Sequence, residues 1–467
     1  MRTCVFAFAF AFAFACSGDG GQTSETAGGG IDLEGYAFAS RFDGADSVSY
    51  SGQVFRQLLI EDMKAHIGGL TERIDSGFSP EPGEVAAELD FYVSFDSASS
   101  GGVPVAFSST PAPLQAIYDD VSTGKDLVGK IAGNDAIGQH RDWSVGFAGW
   151  DEAGVTTPES LVRLWMSQLD AAAVERSLGN IPVDPSGVPV SAVYLTADGR
   201  DLQQLLEELL RVAVAFSQGA DDYLDDDEPG KGLLSDHTAA DGDGNYTVLE
   251  HAWDEGFGYF GAARTYGGWD DAAIADPGYA DVDGDGAVDL LTEVSWGHSG
   301  TAAKRDAAAV VATDFTAEAW GGLYEGRALL ASTEGALTPE QLVELQGHRD
   351  RALSAWEAAI AATVVHYINA VLQDMAAIGT DEYSFLDHAG HWSEMKGSAL
   401  AFQFNRRSPI LADFEQLHRL LRQAPALGPG DELEQYASDL RVARALIGDA
   451  FGFDAANLGD DDGLGGW

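Results

Sequence analysis

Cysteine is almost absent: the 467 residues hold two, Cys4 and Cys16, both at the extreme N-terminus. The body of the chain therefore has no disulfide and no cysteine-ligated zinc or iron–sulfur centre, so its stability must come from packing and from any bound ions. Basic residues are scarce as well. Lys and Arg number 26 against 75 Asp and Glu, a formal net charge of −49. A surface that negative repels phosphate backbones, which excludes nucleic acid as a partner, while it favours cations and solubility. Past the first sixteen residues the sequence lacks any uncharged apolar run long enough for a membrane span. It also lacks a nucleophile elbow, an HExxH helix and a complete phosphate loop, and no repeat of solenoid length is visible.

What is present begins with an address. Arg2 precedes the apolar run VFAFAFAFAFA, which ends at Ala15-Cys16-Ser17-Gly18. A positive start, a short apolar stretch and a small residue before the cut make a secretory signal over residues 1–16. Ala13-Phe14-Ala15-Cys16 resembles the lipobox of bacterial lipoproteins, with Ala13 where Leu is commoner and a bulky Phe14. The resemblance implies lipidation of Cys16 and residence in the cell envelope, at the outer membrane or cell surface; cleavage near Ala15 and free secretion is the alternative. Residues 17–32, rich in Gly, Ser and Thr, read as a flexible tether.

From residue 33 to 467, a hydrophobic content of 45% supports one large domain with an acidic tail from about residue 455. Helical periodicity dominates, in Gln53–Ile67, Asp201–Phe216, Val248–Arg264, Phe315–Leu330, Tyr383–Phe404, Pro409–Gln423 and Asp431–Phe451. Pro158 follows Thr157 at a first helical position. Thr338-Pro339-Glu340-Gln341 is a capping box opening a helical stretch to about Ala377, with a break allowed near Gly347. Strand patterns are confined to Val103–Phe107 and Val193–Leu195. The fold class is all-α, a large helical bundle with long acidic loops, of which Asp221–Glu228 and Gly459–Gly463 read as solvated.

Two features carry chemistry. Asp281–Glu293, DVDGDGAVDLLTE, spaces oxygen donors as a calcium loop does, with alternate Asp residues and Gly286 at the bend. Asp281, Asp283, Asp285 and Asp289 would ligate Ca2+ by side chain and Ala287 by its carbonyl. Glu293 falls one residue beyond the usual bidentate position. An unliganded turn is the alternative. The second feature is a pair of histidine–carboxylate helices. In EHAWDE, Glu250, His251, Asp254 and Glu255 share a face at i, i+3 and i+4; in DHAGHWSE, His391 and Glu394 share one, with His388 a turn earlier. Facing helices bearing such groups build metal sites in bundles, and equally build buried hydrogen-bonded networks. His366 reads as a core residue, and His66, His348 and His418 as helix-surface positions.

Several blocks resemble the bacterial domain of unknown function 4856, among them DSVSYSGQVFRQLL, DGRDLQQLL, EHAWDEGFGYFGA and DVDGDGAVDLLTEVSWGHSGTAAKRD, over most of residues 33–425. His391-Trp392-Ser393-Glu394 also resembles the HxxE core of imelysin-like proteins, helical lipoproteins linked to iron acquisition and once classed as peptidases. The resemblance implies a secreted or anchored helical protein with His391 and Glu394 at a centre for a metal ion, such as iron, or an iron-containing ligand. It implies an iron-uptake receptor as partner, beside the membrane reached through the lipid anchor. A metallohydrolase and a purely structural or docking protein remain the rival readings.

Overall fold

The longest helical pattern in the sequence becomes the axis around which the rest packs. The computed structural model describes residues 35–135, 139 and 141–467. The signal segment 1–16 with its Cys16 and the tether 17–32 lie outside the described residues, and Glu34–Trp467 form one compact unit.

The fold is all-α. Eleven of its helices are labelled here in chain order: α1 (Ser51–Asp75), α2 (Glu84–Val93), α3 (Pro158–Ser177), α4 (Leu202–Leu210), α5 (Val248–Phe260), α6 (His298–Ala308), α7 (Phe315–Ser332), α8 (Pro339–Ala377), α9 (Phe385–Ala399), α10 (Phe414–Leu421) and α11 (Asp431–Phe451). Thr338 starts α8 as its capping box predicts: its hydroxyl accepts from Gln341 N–H at 3.2 Å, and Gln341 Oε1 accepts from Thr338 N–H at 3.0 Å. The helix then runs unbroken through Gly347. Its most apolar stretch has the length and composition of a membrane span, but 78% of that stretch is buried within the protein. Trp356, Ile360, Val364, Ile368 and Leu372 face inward, and α6, α7, α9 and α11 surround them. The second layer is built on α1, which α2, α3, α4 and α5 cover. One continuous apolar core joins the layers, with Trp143, Trp165, Trp253, Trp356 and Trp392 wholly enclosed.

Close helix contact depends on glycines, two of them around α5. A Cβ on Gly258 of α5 would meet Gln53 and Tyr50 at 2.8 Å, and one on Gly326 of α7 would sit 2.0 Å from the Trp253 ring. The FGYFG run of α5 is thus a packing surface against α1.

Three expectations are corrected. No β-strand forms among the described residues; Val103–Phe107 and Val193–Leu195 yield only isolated bridges, Pro104 with Ile117 and Leu195 with Asp201. Short apolar runs cannot be told from buried coil by periodicity alone. The acidic run Asp221–Glu228 is solvated only at its end, Asp227 and Glu228. α4 passes into wide π turns at Arg211–Phe216 and Gly219–Tyr223, which carry Asp221, Asp222 and Asp225 inside, where Asp225 pairs with Arg406 at 2.9 Å and Arg407 at 2.7 Å. His418 is not on the surface either. It is buried on α10, its Nδ1 2.9 Å from the enclosed Lys396 Nζ.

Candidate functional site

The carboxylates of the first histidine helix are consumed by the fold. Thr247 caps α5, with Glu250 Oε2 accepting from Thr247 N–H at 2.8 Å. The other Glu250 oxygen meets Arg327 Nη1 at 3.2 Å, and Asp254 Oδ1 accepts from Arg327 Nε at 2.9 Å. Tyr36 hydroxyl donates to Asp254 at 3.0 Å, Ser49 N–H at 3.3 Å, and Arg327 also donates to Ser47 Oγ at 2.6 Å. Arg327 and Asp254 are 0% exposed. Burial pushes the Asp254 carboxyl up to about 6 against the pull of Arg327. His251 lies outside this node, stacked on Tyr246 with ring centres 4.6 Å apart and 3.8 Å from Glu255, which accepts from Gln53 at 2.8 Å.

The acidic loop curls as its spacing predicts. One oxygen from each of Asp281, Asp283 and Asp285 lies within 4.8 Å of the others. Gly284 and Gly286 N–H groups donate to Asp281, at 2.8 and 3.0 Å, and those of Asp285 and Ala287 donate to Asp283 and Asp285. Glu293 serves differently. Its two oxygens accept from the loop's own backbone, Val282 at 2.7 Å, Asp283 at 3.2 Å and Asp289 at 2.8 Å, so it staples the loop from within. Asp289 is likewise engaged, accepting from Gln115 and from Leu291 N–H and Thr292 Oγ1.

The second histidine helix, α9, splits its groups. His388 is buried against the Tyr383 hydroxyl, 3.2 Å from its Nδ1, and burial lowers it to about 4. His391 Nδ1 lies 2.7 Å from Asp374 Oδ2; burial opposes the charged form, but that bond holds the imidazole above its ordinary value. Glu394 points elsewhere, accepting from Tyr367 hydroxyl at 2.7 Å. The structure does not bring the two histidine helices together. Glu250, His251, Asp254 and Glu255 share no hydrogen-bond, ion-pair or ring partner with His388, His391 or Glu394 among the described residues.

Glu394 instead faces a polar cavity of about 250 Å³ between α1, α4, α6, α8 and α9. Each helix presents a stripe at helical spacing: Glu61 and Lys64; Glu208 and Arg211; His298, Thr301, Lys304 and Arg305; Ile360, Thr363 and Tyr367; Glu394 and Ser398. Arg211, at the first π turn, is neutralised by Glu61 at 2.5 Å, Glu207 at 2.6 Å and Glu208 at 3.3 Å, although its Nε donates to nothing among the described residues. Lys64 pairs with Glu207 at 2.5 Å. The cations of α6 differ. Arg305 is 8% exposed, its Nε and Nη1 have no hydrogen-bond partner, and neither it nor Lys304 forms an ion pair among the described residues. Burial, with Arg211 and Lys64 nearby, lowers Lys304, and burial lowers Arg305. His298 is enclosed and held neutral: burial and then Arg211 lower it to about 3, and its Nδ1 lacks a partner. Burial raises Glu394 to about 7. In a chain of net charge −49, two unneutralised cations and an open imidazole edge therefore meet in one cleft.

Of these groups the sequence reading had reached only Glu394. Helix α6 escaped because GHSGTAAKRDAA carries two glycines and little apolar periodicity. Its spacing of His298, Thr301 and Arg305 at i, i+3 and i+7 was the available cue.

Residues 166–272 match the model of a family described as a domain of unknown function, DUF4856, which bears out the resemblance over that segment. The segment holds α4 and α5, and so Glu207, Glu208, Arg211 and the Arg327-bound carboxylates, while α6, α8 and α9 lie beyond it. No curated protein and no solved structure matches the chain.

Proposed function

We propose that this chain is an envelope protein, anchored through Cys16, that binds a small anionic ligand without turning it over, in the cavity between α1, α4, α6, α8 and α9. The observation that carries the reading is Arg305: a buried guanidinium whose Nε and Nη1 have no partner among the described residues, beside Lys304, which forms no ion pair among them either. Burying a cation unpaired is costly, and folds retain that cost where a ligand completes the site. An anion would receive charge-assisted hydrogen bonds from Arg305 and Lys304, an edge from His298, and a proton or an oxygen from Glu394. Carboxylate-coordinated iron(III) is the class that joins this chemistry to the iron-acquisition reading. The metal would arrive inside its chelate, so a complete set of protein ligands is unnecessary. Membrane contact through the anchor and delivery to an uptake receptor would follow.

Titration calorimetry of the domain with citrate and with iron(III) citrate tests this. Saturable binding of either, weakened about tenfold or more in Arg305→Met, is expected. No binding, or binding indifferent to Arg305→Met, would reject it.

A second reading concerns Asp281–Glu293. Convergence of the three Asp oxygens supports a structural Ca2+ held by Asp281, Asp283, Asp285 and the Ala287 carbonyl, in a loop that Glu293 braces. Its check is the calcium-dependent melting described below.

A further inference from the structure

A second cavity, of about 740 Å³, lies between α8, the start of α7 and the end of α11, and shares no lining residue with the Arg305 cleft. Its walls are largely apolar: Phe315 from α7, Leu353 and Ala358 from α8, Ala450 and Phe451 from α11. Four acids line it, of which Asp314, Glu318 and Asp350 are exposed at the rim and Glu357 is buried, 1% exposed. Glu357 Oε2 accepts from Asn405 Nδ2 at 2.6 Å, while Oε1 has no hydrogen-bond partner. The Ser408 hydroxyl is near enough to favour the ionised form but makes no hydrogen bond.

The charges at the rim are lopsided. Arg351 is held by Glu318 at 2.6 Å and Glu325 at 3.1 Å, and Arg407 by Asp225 at 2.7 Å. Asp314 forms no ion pair among the described residues. An anion entering here would face Glu357 and Asp314 with both arginines already spent. A wholly apolar molecule would leave Glu357 Oε1 buried and unmatched. A donor of positive charge on an apolar body answers both demands.

We infer that this cavity is a second binding site, for an amphipathic monoamine, whose nitrogen donates to Glu357 Oε1 while its apolar body lies on Phe315, Leu353 and Phe451. Burial pushes Glu357 up to about 8, so without a cation beside it the group is a carboxylic acid at pH 7. Binding of a protonated amine ionises the acid. The carboxyl proton leaves to solvent, the ammonium keeps its three, and close to one proton is released per amine bound.

The experiment compares 2-phenylethylamine with 2-phenylethanol and phenylacetate by titration calorimetry at pH 7, in phosphate and in Tris, whose ionisation heats differ. The amine is expected to bind with proton release, about tenfold or more tighter than the alcohol, with phenylacetate weakest. Glu357→Gln keeps shape and the Asn405 contact and should bring amine and alcohol to parity without proton release. Ala450→Trp fills the cavity and should abolish binding of both, which keeps the site testable if Glu357→Gln fails to fold. Arg305→Met should leave the amine untouched, which separates this site from the anion cleft. Equal affinity for amine and alcohol, an amine preference that survives Glu357→Gln, binding that survives Ala450→Trp, or no saturable binding would each overturn the proposal.

Discussion

The Arg327 node and the Arg305 cleft are built from the same parts, buried arginine, glutamate and tyrosine on packed helices, yet they end in opposite states. Arg327 donates to Asp254, Glu250 and Ser47 and is wholly enclosed. Arg305 is nearly as enclosed, and two of its nitrogens donate to nothing. A buried cation neutralised within the fold holds elements together, whereas one with no ion pair costs stability, a cost that a partner from outside would relieve. Burial and residue type do not separate structural from functional charge. The hydrogen-bond tally does.

The strongest way to break the comparison is Arg327→Met. Glu250 and Asp254 would stay buried without their cation, and urea unfolding should show a loss of about 3–5 kcal/mol, the cost of orphaning buried charges. A loss below about 1 kcal/mol would mean that the node is no more structural than the cleft.

The Asp281 loop stands between these extremes, closed by its own backbone yet holding three carboxylates together. If calcium fills it, saturation to about a hundred times the dissociation constant should add about 2.7 kcal/mol, seen as a melting temperature that falls on chelation. Asp283→Ala should remove that dependence. A melting curve indifferent to chelator would assign the loop to the sealed class.

An effect of comparable size is expected for Glu394→Gln, and it has a sign. Glu394 is raised from 4.5 to about 7 by burial, so the folded state holds a proton that the unfolded chain gives up. Its contribution is full below about pH 4.5 and is lost as pH rises through 7. The stability difference between wild type and Glu394→Gln should therefore shift by up to about 3 kcal/mol between pH 4 and pH 8, read from unfolding midpoints. A constant difference would show that Glu394 is ionised throughout.

The smallest stability change belongs to Arg305→Met. Removing an unpaired buried cation should cost roughly nothing, or raise stability by up to about 1 kcal/mol, while anion binding falls. A loss comparable to that of Arg327→Met would erase the distinction between the two sites.

Much of the scaffold was legible beforehand. The capping box at Thr338, the proline start at Pro158 and the amphipathic runs of α1, α5 and α7 are local patterns with local causes. The cleft was legible at one residue, Glu394, because HxxE spacing is a local pattern too. The rest was not. His298, Lys304 and Arg305 sit on a helix with weak intrinsic preference, held by α7, α8 and the short helix Asp271–Ala275. The acidic run at Asp221–Asp225 misled for the mirror reason. Its charges suggested solvent, yet Arg406 and Arg407, some 180 residues later, neutralise Asp225 inside, and the enclosed Trp143 donates to Asp221.

By itself the sequence determined the helical class, the capped axis at α8 and the spacing of the Asp281 loop, since each depends on residues a few positions apart. Only the tertiary structure decided which buried charges are matched. Pairing Glu250 and Asp254 with Arg327, or leaving Arg305 open beside Glu394, depends on contacts between helices far apart in the chain, and no local pattern encodes them.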